Sequence, residues 1–588
     1  MVPKESAIPC GPIGKDRHST QKHPKKTGAA KRRKKALDDF VHPATFRRNS
    51  LSVINKIGSP DKILRVAWWA LAVIIFGLTV AIRIRLLGIP LERDEGEYAY
   101  AGQLILQGIP PYKLAYNMKF PGTYAAYAVI MSIFGQTITG IHLGLLLVNA
   151  ATIALIFFLG RRLVNTAAGL VAAASYAVLS VSLGVQGFAA HATHFVMLPA
   201  LGGMLLLLDH SGRQAFGRLF ASGLLFGVGL LMKQPAVFFV LFGAIYLGCR
   251  DIRRLGLNAA VRNNLIFDTG AILPFGLTCL LLWHAGVFGK FWFWTIDYAH
   301  QYGSLVPLSA GMRVFTKMAP EVIGSSGWTL WTLAGVALIR YVWRIRSSPE
   351  RVFLIGLFLV SVAAVCAGLF FRPHYFVLLL PAISLLVGVL IADMERLLNT
   401  RSYAARTLPL LLAAAAIGLP MVGERNFLLG RPVDSIPRYV YGESPFVESI
   451  PIAKYIREHS SPEDTIAVLG SEPQIYFYSH RHSATGYIYT YGLMEPQKYA
   501  RQMQQEMIHE IEEARPKYLV SVVIDDSWSF WGKSDRYIFN WANEYTAQNY
   551  DAVAFVNIMP AETDYFFGQI PPSVNYLRDY ILIYRRKS

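Results

Sequence analysis

The sequence predicts a polytopic α-helical membrane protein of about eleven spans with a C-terminal extracytoplasmic α/β domain. Three observations predict it. Only 16% of the 588 residues are charged and 53% are hydrophobic, whereas a soluble globular chain is nearer a quarter charged. Apolar runs close to the length a helix needs to cross a bilayer recur between residues 66 and 422. From residue 423 to 588 those runs stop, and short apolar strands alternate with helical segments.

Residues 1–63 are poor in apolar side chains and contain "KHPKKTGAAKRRKKALDD". They are expected to form a disordered, basic cytoplasmic tail. The formal net charge is +19, a size that raises nucleic acid as a partner. Its concentration in the tail and in short loops points instead to anionic lipids and to membrane orientation, with no nucleic acid. No secretory signal is visible, because dozens of polar residues separate the basic start from the first apolar run.

That run covers 66–88, and the others cover 138–160, 166–186, 193–209, 218–234, 235–249, 265–286, 328–345, 351–371, 374–392 and 407–422. Together they delimit a transmembrane domain over 64–422, with a first external loop at 89–137. The stretch 121–136 is apolar but short, and is expected to lie at the surface or dip into it. With the N-terminus inside, the cytoplasmic loops are "GRRLVN", "HSGRQAFGR", "CRDIRRLGLNAAVRNN", "RYVWRIRSSPER" and "DMERLLNTRSYAAR", all rich in Arg. The positive-inside rule therefore places 89–137 and 423–588 outside. In the last region, "PIAKYIREHSSPEDTIAVLGSEPQIYFYS" gives helix, turn, buried strand and a turn into a helix. "EARPKYLVSVVIDDS" gives a helix end and a second apolar strand. No internal repeat is found. The four cysteines show no CxxC metal pattern and no disulfide framework.

The first loop concentrates the chemistry. "RDEGEYAYAGQLILQGIPPYKLAYNMKFPG" begins at Arg93 and directly follows the first span. Asp94 and Glu97 have the spacing of an N-terminal capping box, and Gly108, Pro110 and Pro111 form a stop signal. One reading is a capped amphipathic surface helix. A compatible one is that Asp94 or Glu95 is partly desolvated there, gains basicity, and takes a proton from an acceptor hydroxyl. Lys119 is either a snorkelling interfacial lysine or a contact to a lipid phosphate, whose departure needs a cation. Lys233 in "LLMKQPAVFF" and Arg372 in "FRPHYF" fall at other outer turns. A guanidinium suits bidentate phosphate binding. His191 and His194 are three apart, which allows a metal pair or a bare turn. In the first case a divalent metal is the cofactor to look for. The loop "FGKFWFWTIDYAHQYG" reads as an interfacial aromatic belt, or else as a sugar platform or lipid-entry lip.

The Asp94-Glu95 pair after the first span, its "YA…L…G…PY…K.P" continuation, "LLMKQPA", "HYFVLLLPAISLL" and "VLGSEPQIYFYSHRHSATGYIYTY" resemble bacterial membrane glycosyltransferases of the C-type fold. These are the group of the dolichyl-phosphate-mannose-protein mannosyltransferases and the aminoarabinose transferase. The resemblance extends over 64–500. It implies inverting transfer of a sugar from a polyprenyl-phosphate donor to an extracytoplasmic acceptor hydroxyl on lipid, glycan or protein, at the plasma membrane of a bacterium. It implies Asp94 as the base and Lys119 as a contact to donor phosphate. Two positions depart from the aminoarabinose transferases: Glu97 stands where they carry arginine, and Met118 where they carry a Glu before the lysine. The expected site is therefore Asp94 and Glu95 for catalysis, and Lys119, Arg372 and Lys233 for donor phosphate. Glu97, Tyr98, His374, Tyr375 and His194 are expected as substrate contacts. Two other classes fit the composition: a transporter or flippase of lipid-linked sugar, which would put charges within the spans, and a non-catalytic cell-envelope assembly protein.

Overall fold

Each of the eleven apolar runs is built around a helix. The computed structural model describes residues 60–208, 215–343, 348–560, 562–571 and 578–588. Most of the basic tail, and parts of the Arg-rich loops near 210 and 346, lie outside the described residues. The helices of the apolar region are α1 (Pro60–Arg85), α2 (Arg93–Leu106), α3 (Gly122–Phe134), α4 (Ile138–Leu163), α5 (Thr166–Leu179), α6 (Ala192–Leu208), α7 (Ala215–Met232), α8 (Val237–Leu255) and α9 (Leu257–His284). They continue with α10 (Leu308–Val342), α11 (Pro349–Cys366), α12 (Leu380–Leu398) and α13 (Tyr403–Gly423). Among the described residues six helices are long and apolar enough to cross a membrane. The number is seven if the two arms of α10, bent by 110°, form one span. Gly324, at φ 68°, supplies the break.

The other apolar runs are shorter than a bilayer requires or are enclosed by protein. A helix of fourteen residues, such as α5, is roughly 21 Å long, against a hydrocarbon core of roughly 30 Å. α12 is buried on all sides from Leu380 to Ala392 and packs on α5 and α10. A helix apolar all round is the sequence signature of such a position. The outward residues of the peripheral helices are large and apolar, among them Ile74, Ile245, Ile272, Leu281 and Trp283, as a lipid-facing surface requires.

The C-terminal region carries a six-stranded sheet formed by β1 (Thr465–Leu469), β2 (His482–Ser483), β3 (Tyr518–Val523), β4 (Tyr550–Ile558), β5 (Thr563–Phe567) and β6 (Asp579–Arg586). Its order is β2-β1-β3-β6-β4-β5. β1 pairs parallel with β2 and β3, and β6 and β4 continue antiparallel. Helices α14 (Ser449–Glu458), α15 (Gln474–Ser479), α16 (Ala500–Ala514) and α17 (Tyr537–Asn549) complete it. The strands expected within "TIAVLG" and "YLVSVV" are β1 and β3.

The first helix of the external loop differs from expectation. α2 is not a surface helix: ten consecutive residues from Glu95 to Leu104 are buried. It lies between α3 and α15, and one apolar core joins Tyr98, Tyr100 and Tyr127 of the loop to Val468, Tyr476 and Val520 of the α/β region. Gly96 makes this possible, since a Cβ there would stand 2.7 Å from the Gln474 backbone nitrogen. The thirteen-residue α3 is too short to cross.

Candidate active site

The start of α2 sets the directions of four consecutive side chains. Its N-cap is Glu92, not Asp94. The Glu92 carboxylate accepts from the Asp94 and Glu95 backbone N–H groups, and Glu95 Oε2 accepts from the Glu92 N–H at 3.3 Å. The capping box is therefore Glu92 with Glu95, and Asp94 and Glu97 are left free for other partners. Separated by three residues, Asp94 and Glu97 are neighbours on one helix face, and both hold Lys119. Its Nζ donates to Asp94 Oδ1 at 2.8 Å and to Glu97 Oε2 at 2.6 Å, and lies 4.7 Å from the Tyr98 ring centre.

Arg93 points the other way, into the α/β region. It donates to the Ser471 carbonyl, Glu472 and the Tyr491 hydroxyl, with Phe446 and Tyr491 rings on either side. Glu95 points away from both, toward His142 at 3.0 Å and the Ala190 backbone N–H.

A cavity of about 780 Å³ opens in front of Asp94. The outer turns named from sequence converge on it: Lys119, Lys233, Arg372, His374, Tyr98 and Tyr375 all line it. Glu95, Glu97 and His194 do not. Glu97 is fully buried and accepts from Asn117, Lys119 and Tyr124. His194 is buried on the first turn of α6. Of the two readings of His191 and His194, the metal pair is not assembled. His191 instead stacks on His374, ring centres 4.1 Å apart, and His374 Nε2 stands 3.9 Å from Asp94 Oδ2.

The electrostatics correct a second expectation. Burial alone would raise Asp94, but the Lys119 ammonium, paired with it and hydrogen-bonded to it, holds its carboxyl well below the usual carboxylate range. Glu97 is raised, by burial and by the Asp94 charge, against the pull of Lys119. Lys233 lies 4.1 Å from the Tyr375 ring centre, and Arg372 faces the Tyr302 hydroxyl. Neither is among the basic side chains ion-paired to a described carboxylate.

Asp94, His191 and His374 also form a group fit for a metal ion, with ligand atoms all within 4.8 Å of one another. Both His191 ring nitrogens are buried without a hydrogen bond, and Glu92 Oε1 lies 3.5 Å from Nδ1. Burial lowers the His191 pKa to about 4, so its imidazole is neutral at pH 7. Two imidazoles and a carboxylate suit a divalent transition metal.

Further walls come from residues that the sequence reading did not single out by number. Trp294, Tyr298 and Tyr302, from the aromatic loop, line the cavity. The segment runs through a short helix, Phe288–Trp292, and a π-helical turn, Phe293–Tyr298. Trp294 stacks on Tyr116, so these rings face protein rather than forming a lipid belt. Tyr489, Tyr491 and Glu495 close the cavity from the α/β region. The alternating tyrosines of "GYIYTYG" were the available signal.

Residues 119–262 match the family model described as dolichyl-phosphate-mannose-protein mannosyltransferase. No curated protein sequence matches the chain. Among solved structures, the fold is similar to that of ArnT from Cupriavidus metallidurans bound to undecaprenyl phosphate. That similarity has a TM-score of 0.53 at 16% identity, over 89% of this chain and 98% of that one. It is also similar to the Archaeoglobus fulgidus oligosaccharyltransferase in complex with Zn and sulfate, with a TM-score of 0.52 at 13% identity over 84% and 72%. The same oligosaccharyltransferase tethered to an acceptor peptide containing the NVT sequon gives a TM-score of 0.51 at 12% identity over 86% and 74%. The resemblance expected from the sequence holds at the level of fold: the architecture is similar to that of these ArnT and oligosaccharyltransferase structures.

Proposed function

We propose that this chain of C-type glycosyltransferase fold transfers a sugar, with inversion, from a polyprenyl-phosphate donor to an acceptor hydroxyl on lipid, glycan or protein outside the cytoplasm. The observation that carries the reading is one cavity lined by a carboxylate, Asp94, and by two basic side chains, Lys233 and Arg372, neither of them ion-paired to a described carboxylate. A phosphate leaving group needs cationic charge, and an acceptor hydroxyl needs a base.

Asp94 takes the proton as the acceptor oxygen attacks the anomeric carbon. The bond from that carbon to the phosphate oxygen breaks, and its electron pair leaves with the polyprenyl phosphate. Phosphate departs without prior protonation, so one carboxylate suffices, unlike the paired acids of glycosidases. Arg372 and Lys233 take the donor phosphate. Lys119 orients Asp94 first, since its charge is already shared between Asp94 and Glu97, and reaches phosphate from that position. Glu95 and Glu97 serve the site through the partners they hold rather than by touching substrate. A divalent cation on Asp94, His191 and His374 would supply Lewis-acid charge beside the reacting centre. The basic tail would rest on anionic lipids of a bacterial plasma membrane, with the N-terminus cytoplasmic.

Turnover of synthetic polyprenyl-phosphate sugars by purified protein tests the proposal. Asp94→Asn is expected to lower transfer by about 10²–10⁴-fold while folding is retained. Parent protein that moves lipid-linked sugar across a vesicle without cleaving it would reject the reading.

A further inference from the structure

The wall of the cavity away from Asp94 carries a carboxyl group to which the transfer chemistry gives no part. Glu495 follows the short helix Tyr491–Met494 of the α/β region. It is 5% exposed and lines the cavity. Its Oε2 accepts from the Tyr298 hydroxyl at 2.5 Å. Oε1 is neither hydrogen-bonded to a described residue nor sealed from the cavity. The contact is built from both sides. Tyr298 ends the π-helical turn, a distortion common at functional sites. Opposite it, Gly492 lacks the Cβ that would stand 2.9 Å from the Tyr298 hydroxyl oxygen. Arg372 is close enough to act on Glu495 electrostatically yet is not ion-paired with it. Both line the same cavity, together with Tyr298, Tyr302 and Tyr491.

We propose that Glu495 reads the hydroxyl groups of the donor's sugar, binding them through Oε1 while Tyr298 fixes Oε2. This rests on the glycosyl-transfer reading above. Arg372, the assigned phosphate contact, shares the cavity with Glu495 and acts on it electrostatically, so the group reaching that carboxyl is the sugar attached to the phosphate. Aromatic rings beside a carboxyl suit a sugar ring, which presents apolar C–H edges and hydroxyls together. Burial raises the Glu495 pKa to about 7, so near neutral pH the carboxyl both donates and accepts, as neighbouring hydroxyls require. The Arg372 charge beside it disfavours a cationic amino group at the same place.

The test is equilibrium binding to the full-length protein in detergent. The probes are undecaprenyl phosphate alone and short-chain polyprenyl phosphates carrying a hexose, a pentose or an amino sugar. The parent is expected to bind one neutral sugar donor more tightly than undecaprenyl phosphate. Glu495→Gln, which keeps an acceptor for Tyr298, is expected to lose that preference by roughly ten- to hundredfold, with affinity for undecaprenyl phosphate alone unchanged. A retained preference in correctly folded Glu495→Gln overturns the inference and leaves the glycosyl-transfer reading standing. So does a parent preference for the amino sugar. A parent that binds none of the probes sinks both.

Discussion

Lys119 sits between two acids, and the three charges cannot be altered singly without consequence. Removing the ammonium leaves Asp94 and Glu97 facing each other with little solvent. Breaking a buried pair typically costs about 3–5 kcal/mol. Lys119→Ala is therefore expected to lower the unfolding temperature as well as activity. Arg372→Ala leaves no carboxylate stranded, so it should weaken donor binding by roughly ten- to hundredfold with a much smaller change in stability. Thermal unfolding and undecaprenyl-phosphate binding, measured on both variants, separate the two roles. Glu95 makes a third case. Its bonds to His142 and Ala190 predict that Glu95→Ala loses stability on the same scale as Lys119→Ala. The fraction that stays folded should keep far more activity than Asp94→Asn. Much of this was legible in the sequence at the level of which residues meet: Asp94, Lys119, Lys233, Arg372 and His374 share one cavity. Direction was not legible. Successive residues of a helix differ by about 100°, and only the cap fixes the origin of that rotation. Asp is a better cap than Glu by preference, which favoured Asp94; the backbone begins its helix two residues earlier.

At the scale of elements, α2 is the hinge between membrane and α/β regions. Arg93 holds the Ser471–Glu472 turn, and Gly96 lets α15 approach. Arg93→Met should cost about 3–5 kcal/mol by stranding the fully buried Glu472. Gly96→Ala should cost about 1–3 kcal/mol by overpacking. Both should expose the α/β region to proteolysis before any change is seen in the apolar helices, which limited digestion followed by mass spectrometry would show. The aromatic segment after α9 explains where sequence reading fails at this scale. A run alternating Trp, Phe and Tyr has the same pattern whether its rings meet lipid headgroups or another part of the same chain. Only the partner surface decides. Here the partner is Tyr116 and Tyr487, residues far away in sequence.

For the whole molecule, the apolar runs and the change of texture at 423 were plain, because burial in lipid and burial in a sheet demand different periodicities. The number of crossings was less so. Each run gave a helix, yet α5 and α6 are short and α12 is enclosed by protein, and hydropathy does not distinguish protein from lipid as an apolar neighbour. Of the sheet, β1 and β3 stand between clear turn signals, whereas β4, β5 and β6 alternate weakly along one face. The orientation is a prediction in its own right. Single cysteines placed in the tail should resist a membrane-impermeant thiol reagent in intact cells, and ones placed between residues 530 and 535 should react. The opposite pattern would turn Asp94 toward the cytoplasm and remove the case for an external acceptor.

Arg93 and Glu472 also set a timetable. A ribosome adding about 5–20 residues per second releases the first loop roughly 20–80 s before the segment that carries Glu472 and Glu495. Throughout that interval the nascent chain holds an unmatched guanidinium at the membrane and half of a cavity. A chain halted early thus displays its own incompleteness, as a charge for surveillance proteases to find, and has no closed chamber in which a lipid-linked sugar could be spent on water.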